Sequence, residues 1–159
     1  MIIGFTGTQQ GMTQFQKTEL INIFNLKGCT ELLHGDCVGS DAQANELALQ
    51  YGTEIFTIYP PDSYKKRAFC FDSKRLTQYL RTPTPYIEQG DNVKVRWYPV
   101  EPYLTRNKKI VDACSLLIAT PKEFKHTVRS GTWSTIRYAW KTKKDLVIIP
   151  PVDRGDTTP

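Results

Sequence analysis

The chain has 159 residues, a net charge of +5, and 40% hydrophobic and 23% charged residues, the make-up of one soluble globular domain with its own core. No apolar run approaches the roughly 20 residues a membrane span needs. Met1-Ile2-Ile3-Gly4 lacks the basic and long apolar regions of a signal peptide, so a cytoplasmic protein with no membrane partner is expected.

The mild basic bias favours anionic partners, nucleotides and nucleic acid alike, and is equally that of a surface kept soluble. Cys29, Cys37, Cys70 and Cys114 form no C-x-x-C pair, and His34 with Cys37 supplies only two ligands. Neither a metal site nor a disulfide framework is expected, and no cofactor is implied.

Ile2 to Thr6 is an apolar segment of β type that runs into Gly7-Thr8-Gln9-Gln10-Gly11-Met12-Thr13. Glycines let such a loop turn sharply with its N–H groups uncovered, and the helix behind it aims a positive dipole end at the loop. The product is an anion site, whose usual occupant in an α/β protein is a nucleotide phosphate. Gly4, Gly7 and Gly11 match neither the dinucleotide fingerprint nor P-loop spacing, so a turn needed only for packing explains this loop alone about as well. Thr13 and Gln16 have the spacing of a capping box. Leu20, Ile21 and Phe24 recur as on one buried helix face, and Gly28 supplies the stop.

Thr30 to Leu33 reads as a second strand, delivering His34-Gly35-Asp36-Cys37-Val38-Gly39-Ser40-Asp41 to another helix. Ser40 and Gln43 repeat the capping-box spacing, Ala44, Leu47, Ala48 and Tyr51 follow at helical intervals, and Gly52 ends the run. Glu54 to Tyr59 is a third strand, and two consecutive β-α-β units require parallel strands with right-handed crossovers. From 62 to 98 the rhythm breaks. Lys65, Lys66, Arg67, Lys74, Arg75, Arg81, Lys94 and Arg96 interleave with Tyr64, Phe69, Phe71, Tyr79, Tyr86 and Trp97. This stretch reads as an irregular insertion, either an excursion with solvated charges or a surface that stacks bases and pairs phosphates.

Regularity resumes with a helix over Thr105 to Cys114 and an apolar strand over Ser115 to Ala119, suited to the centre of a parallel sheet. Thr120-Pro121 and a polar loop lead to Arg129-Ser130-Gly131-Thr132 and a helix carrying Trp133, Ile136 and Trp140 at core spacing. Asp145 to Ile149 is the fifth strand. Residues 151–159 form a flexible Pro- and Asp-rich tail, where Arg154-Gly155-Asp156 is a chance match to an adhesion tripeptide.

Five strands alternating with helices predict a Rossmann-like α/β domain over 1–150, with a doubly wound, mostly parallel five-stranded sheet and helices on both faces. Such sheets bind ligands at the carboxyl ends of their strands. The loops at Gly7–Thr13, Gly35–Asp41 and Ser130–Thr132 converge there and together suit a phosphate-bearing ligand. Candidate binding residues are Thr6, Gly7, Thr8 and Gly11 in the first, His34, Gly35, Asp36 and Gly39 in the second, and Ser130, Gly131 and Thr132 in the third. Arg106 and Asn107 join them, Arg106 as a phosphate contact, with a surface ion pair as its rival. Asp41 suits the helix start it opens, which leaves Asp36 as the carboxylate for a ribose or base.

Gly4-x-Thr6-Gly7-Thr8, His34-Gly35-Asp36-x-x-Gly39-x-Asp41, Arg106-Asn107, Leu117-Ile118-Ala119-Thr120-Pro121 and Ser130-Gly131-Thr132 resemble, in order and spacing, the motifs of the SLOG superfamily. That Rossmann-like group holds the LOG phosphoribohydrolases, the DNA-processing protein DprA and the YpsA-related proteins. The resemblance spans nearly the whole chain outside 62–98 and the tail, and looks closest to small YpsA-like members, often encoded by phage or bacteria.

It implies a nucleotide pocket lined by the first glycine loop and Gly131-Thr132. The phosphoribohydrolase branch carries a Pro-Gly-Gly-x-Gly-Thr-x-x-Glu motif with a catalytic Glu, assisted by an upstream Arg. Gly131 and Thr132 match the Gly-Thr pair and Arg106 stands where that Arg would, but Thr135 occupies the Glu position, and Arg129 and Ser130 replace the paired glycines. A hydroxyl does not replace a carboxylate as base or oxocarbenium stabiliser. Binding of a nucleotide or nucleotide-derived signal therefore leads, with Asp36 and Arg106 as the candidates for any catalysis. The alternatives are a nucleoside-monophosphate N-glycosidase and single-stranded nucleic-acid binding similar to that of DprA. The resemblance further implies a homodimer or higher oligomer.

Overall fold

The computed structural model describes residues 1–71, 86–90 and 92–153, with the Tyr86 side chain excepted. Lys74, Arg75, Tyr79 and Arg81 of the expected insertion, and Arg154-Gly155-Asp156 of the tail, lie outside the described residues. In chain order the elements are β1 (Ile2–Gly7), α1 (Gln14–Lys27), β2 (Glu31–His34), α2 (Ser40–Gln50), β3 (Ile55–Ile58), a 3₁₀ turn (Tyr64–Lys66), β4 (Tyr86–Gln89), β5 (Lys94–Trp97), α3 (Tyr103–Ala113), β6 (Leu116–Thr120), α4 (Gly131–Lys141) and β7 (Leu146–Ile148).

The strands form one seven-stranded sheet in the order β4-β5-β3-β2-β1-β6-β7, parallel throughout except for β4 against β5. All five expected strands are present within a residue or two of their expected bounds. The expected five-stranded sheet is corrected to seven, because part of the stretch read as irregular is sheet. Lys94-Val95-Arg96-Trp97 alternates in burial, with Val95 5% and Trp97 2% exposed. That is the period-2 pattern of a strand, hidden in sequence by the basic residues at its alternate positions.

Successive side chains of a strand point to opposite faces, and the core divides accordingly. Ile3, Phe5, Leu32, Phe56 and Ile118 belong to the core layer that takes in Leu20 and Phe24 of α1 and Ala44 and Ala48 of α2. Leu33 and Leu117 pack with Ile110 and Val111 of α3, and Ala119 with Trp133 and Ile136 of α4. With both faces covered, all five residues of β6 are buried. Trp140, expected on the core face of α4, is instead 51% exposed, since Trp133, Ile136 and Ala139 complete that face.

The capping box of α1 forms as its spacing predicts. Gln16 N–H donates to Thr13 Oγ1 at 3.1 Å, and Thr13 N–H to Gln16 Oε1 at 3.0 Å. The one expected for α2 does not form. Gly39 is its N-cap, at φ 90° and without a side-chain cap. Ser40 Oγ donates to Thr8 O at 2.7 Å, while Gln43 Oε1 accepts from Met12 N–H at 2.6 Å. Both side chains reach across to the loop after β1, a tertiary use that overrides the local one.

From β1 the chain builds outward through β2, β3 and β5, then returns through α3 to β6 on the other side of β1. Connections therefore leave β1 and β6 in opposite directions, and a crevice opens at their carboxyl ends. No helix among the described residues is long and apolar enough to cross a membrane.

Candidate functional site

A cavity of about 630 Å³ occupies that crevice, within the range of small-molecule sites. Thr6, Gly7 and Thr8 come from the end of β1, and Lys122 and Glu123 from just beyond β6. Tyr103 and Arg106 enter from the first turn of α3, and Ser130, Gly131 and Thr132 from the start of α4. Cys37, Asp41, Asp62 and Lys66 supply the wall beyond β2 and β3.

The three glycine-bearing loops differ in what they offer this space. In the first, N–H groups donate from Gln10 to Thr8 Oγ1 (3.2 Å), from Gly11 to Thr8 O (3.2 Å), from Met12 to Gln43 and from Thr13 to Gln16. In the second, they donate from Asp36 to His34 Nδ1 (2.9 Å), Cys37 to Asp41 Oδ2 (3.1 Å), Val38 to Lys66 O (2.9 Å) and Ser40 to Thr8 O (3.0 Å). Those amides are engaged within the protein, whereas Thr8 and Gln9 N–H, on the cavity lining, have no partner among the described residues. At the third loop, Ser130 Oγ accepts from Trp133 N–H at 3.3 Å, and the amides of Gly131 and Thr132 have no partner among the described residues. The start of α4 thus brings a positive dipole end to the cavity lining.

Arg106 is 4% exposed. Its Nη1 donates to the carbonyls of Gly35 (3.1 Å) and Tyr59 (3.2 Å), and its Nη2 to Cys37 Sγ (3.3 Å), while Nε is buried without a partner among the described residues. The Tyr103 ring lies beneath the guanidinium, 5.7 Å from centroid to Cζ. Burial, then the charge of Asp41, pushes the Cys37 thiol up to about 11, so no thiolate stands ready at neutral pH. Asp41 is 7% exposed, and burial raises its carboxyl above the ordinary value, with the charges of His34 and Arg106 opposing. Glu123 joins Asp41 and Asp62 as a third carboxylate of the lining, and its buried Oε2 has no partner among the described residues.

No protein-family model matches the sequence, and no curated protein does. In structure, 97% of the chain aligns with the X-ray structure of DNA processing protein A (DprA) from Streptococcus pneumoniae, with a TM-score of 0.62 and 23% identity. The chain has a DprA-like, Rossmann-like fold. It spans about half of that protein, 51% of its length.

On this DprA-like fold, Thr6, Gly7, Thr8, Arg106, Ser130, Gly131 and Thr132 of the sequence candidates come together around the cavity. Gly11, His34, Gly35, Asp36, Gly39 and Asn107 are not among its lining residues. His34 is fully buried; because Nδ1 accepts from Asp36 N–H, Nε2 carries the proton and donates to Asn45 Oδ1 at 2.7 Å. Asp36, 1% exposed, accepts from Arg67 Nε (3.2 Å) and Nη2 (3.0 Å) and from Cys70 N–H (3.0 Å), tying the segment after β3 to the end of β2. Thr135, at the family's Glu position, is 2% exposed and donates Oγ1–H to Gly131 O at 3.1 Å.

Sequence reasoning missed Lys66, Tyr103, Lys122 and Glu123 at the cavity and set Asp41 aside as a helix-start residue. Lys122 and Glu123 follow directly on a predicted strand end, a signal that marks them by the strand-end rule. Tyr103 stands one helical turn before Arg106, the spacing of neighbours on a helix face. Lys66 carried no such signal within the basic stretch.

Proposed function

We propose that the cavity binds a nucleotide or a nucleotide-derived small molecule, with its phosphate toward the start of α4. One observation carries this reading: the buried Arg106, whose Nε has no partner among the described residues, lines the same cavity as the two unpartnered amides of α4. An unsatisfied buried donor costs about 1–3 kcal/mol, more when charged, and an oxyanion relieves that cost. Lys66, Lys122 and Arg129 add positive charge to the lining. Calorimetric titration with nucleoside monophosphates, ADP-ribose and cyclic dinucleotides tests it. At least one ligand is expected to bind, and Arg106→Gln to weaken that binding about 30-fold. A flat response across the panel removes the reading.

A second reading, hydrolysis of an N-glycosidic bond, draws support from the carboxylates on the cavity, Asp41, Asp62 and Glu123, since such chemistry requires a carboxylate and Thr135 has none. Release of free base from a nucleotide panel is its test, and no release under any condition removes it. Nucleic-acid binding ranks third, on the likeness to a DNA processing protein and on the exposed Tyr64 beside Lys65. Binding insensitive to salt argues against it, because phosphate contacts release counterions.

A further inference from the structure

We infer that Asp41 accepts hydrogen bonds from the ribose hydroxyls of the ligand, so that the site selects ribonucleotides over 2′-deoxyribonucleotides; the inference rests on the nucleotide reading above. In dinucleotide-binding sheets an acidic residue following the glycine loop accepts from the ribose 2′-hydroxyl. Two carboxylates lie near the end of β2. Asp36 is unfit for the task, because Oδ2 is held by Arg67 and Oδ1 by Cys70 N–H, and it does not line the cavity. Asp41 does line it. Its Oδ2 accepts from Cys37 N–H at 3.1 Å, which orients the carboxyl, and its Oδ1 has no partner among the described residues.

Capping does not account for Asp41, since α2 has Gly39 as N-cap and no side chain bonds to its first amides. An acceptor-only group in an anion-binding cavity repels phosphate and attracts hydroxyl donors. Asp41 Oδ2 and Arg106 Nη1 both lie against Gly35, so the cavity sets an acceptor beside its unpartnered donors. A 5′-nucleotide offers both partners, a phosphate for the donors and a ribose diol for the acceptor. The guanidinium Nε has no partner among the described residues and itself calls for an anionic group.

Calorimetric titration with AMP, GMP, CMP and UMP, each against its 2′-deoxy counterpart, tests the inference on the wild type and on Asp41→Asn. Asparagine keeps an oxygen for Cys37 N–H and turns an amide toward the cavity, so the loop is retained while the acceptor is lost. The best-bound ribonucleotide is expected to exceed its 2′-deoxy form at least tenfold in affinity in the wild type, and to stay within about twofold in Asp41→Asn, because a polar site rejects an analogue lacking its partner. Loss of fold would weaken both forms together and is read separately from the far-UV circular dichroism of Asp41→Asn, so the ratio is compared only on folded protein. Equal binding of the two forms by the wild type, or a ratio that survives Asp41→Asn, overturns the inference and leaves the nucleotide reading standing. Failure of all eight compounds to bind overturns the inference, and the nucleotide reading falls with it only if ADP-ribose and cyclic dinucleotides fail as well.

Discussion

The starts of α2 and α4 lie at the same edge of the sheet, each reached from a parallel strand through a glycine-bearing loop, yet they have opposite fates. At α2 the carbonyl of Thr8 takes the place of an anion, accepting from both Ser40 N–H and Ser40 Oγ–H. Gly39 is what lets that plug approach, because a Cβ there would collide with the Gln9 backbone and its φ of 90° disfavours any side chain. At α4 no carbonyl of the described residues fills the place, and Gly131 and Thr132, their amides unpartnered, line the cavity. Glycine at a strand–helix junction thus serves packing in one case and access in the other.

The contrast is broken most severely at the closed end. Arg67→Met removes the buried partner of Asp36, whose ion pair is 3.0 Å long and nearly inaccessible to water. An orphaned buried charge costs about 3–5 kcal/mol, and chemical denaturation should show a loss of that size. Gly39→Ala forces both the φ and the Gln9 contact, for an expected loss of about 3 kcal/mol by the same measurement. A stability within error of the wild type would mean that the Thr8 plug is not what holds α2.

At the open end the expected effect moves from stability to binding. Gly131→Ala brings a Cβ against the Tyr103 hydroxyl, a side chain 41% exposed and able to shift. Nucleotide affinity should fall about tenfold while stability changes by under about 1 kcal/mol. Adding Tyr103→Phe should restore part of the affinity, and an additive double variant would show that the two positions do not meet.

The smallest effect concerns Asp41, which stands between the two ends. Burial raises its carboxyl above the ordinary 3.8, so the folded chain holds that proton more tightly than the unfolded chain does. The stability lost to the ionised form is present above the raised value and is relieved as pH falls toward 3.8. His34, Arg106, Asp36 and Cys37 face the group, the first two opposing the shift. Asp41→Asn should therefore be more stable than the wild type at neutral pH, with the gap closing in acid. A gap independent of pH would place its origin elsewhere.

Much of the fold was legible in the chain because its signals are local. Apolar runs mark β1, β2, β3, β6 and β7, helical spacing marks what lies between them, and the Thr13–Gln16 box needs only four consecutive residues. The strand β5 escaped notice because its basic residues suggested a surface, and only pairing with β3 buries Val95 and Trp97. The position of the cavity was legible in outline, since the strand-end rule selects the loops that contain Thr6, Gly7, Thr8 and Ser130 to Thr132.

By itself the sequence determined which groups stand at the carboxyl edge of the sheet and what each is able to donate or accept. Only the tertiary structure decided which of them meet one another first. Ser40 finds Thr8 across 32 residues, Asp36 finds Arg67 across 31, and Arg106 finds Gly35 across 71. A buried amide or carboxylate bonds to whatever partner the fold brings within reach. For that reason Asp36 closed while Asp41 and the start of α4 stayed open.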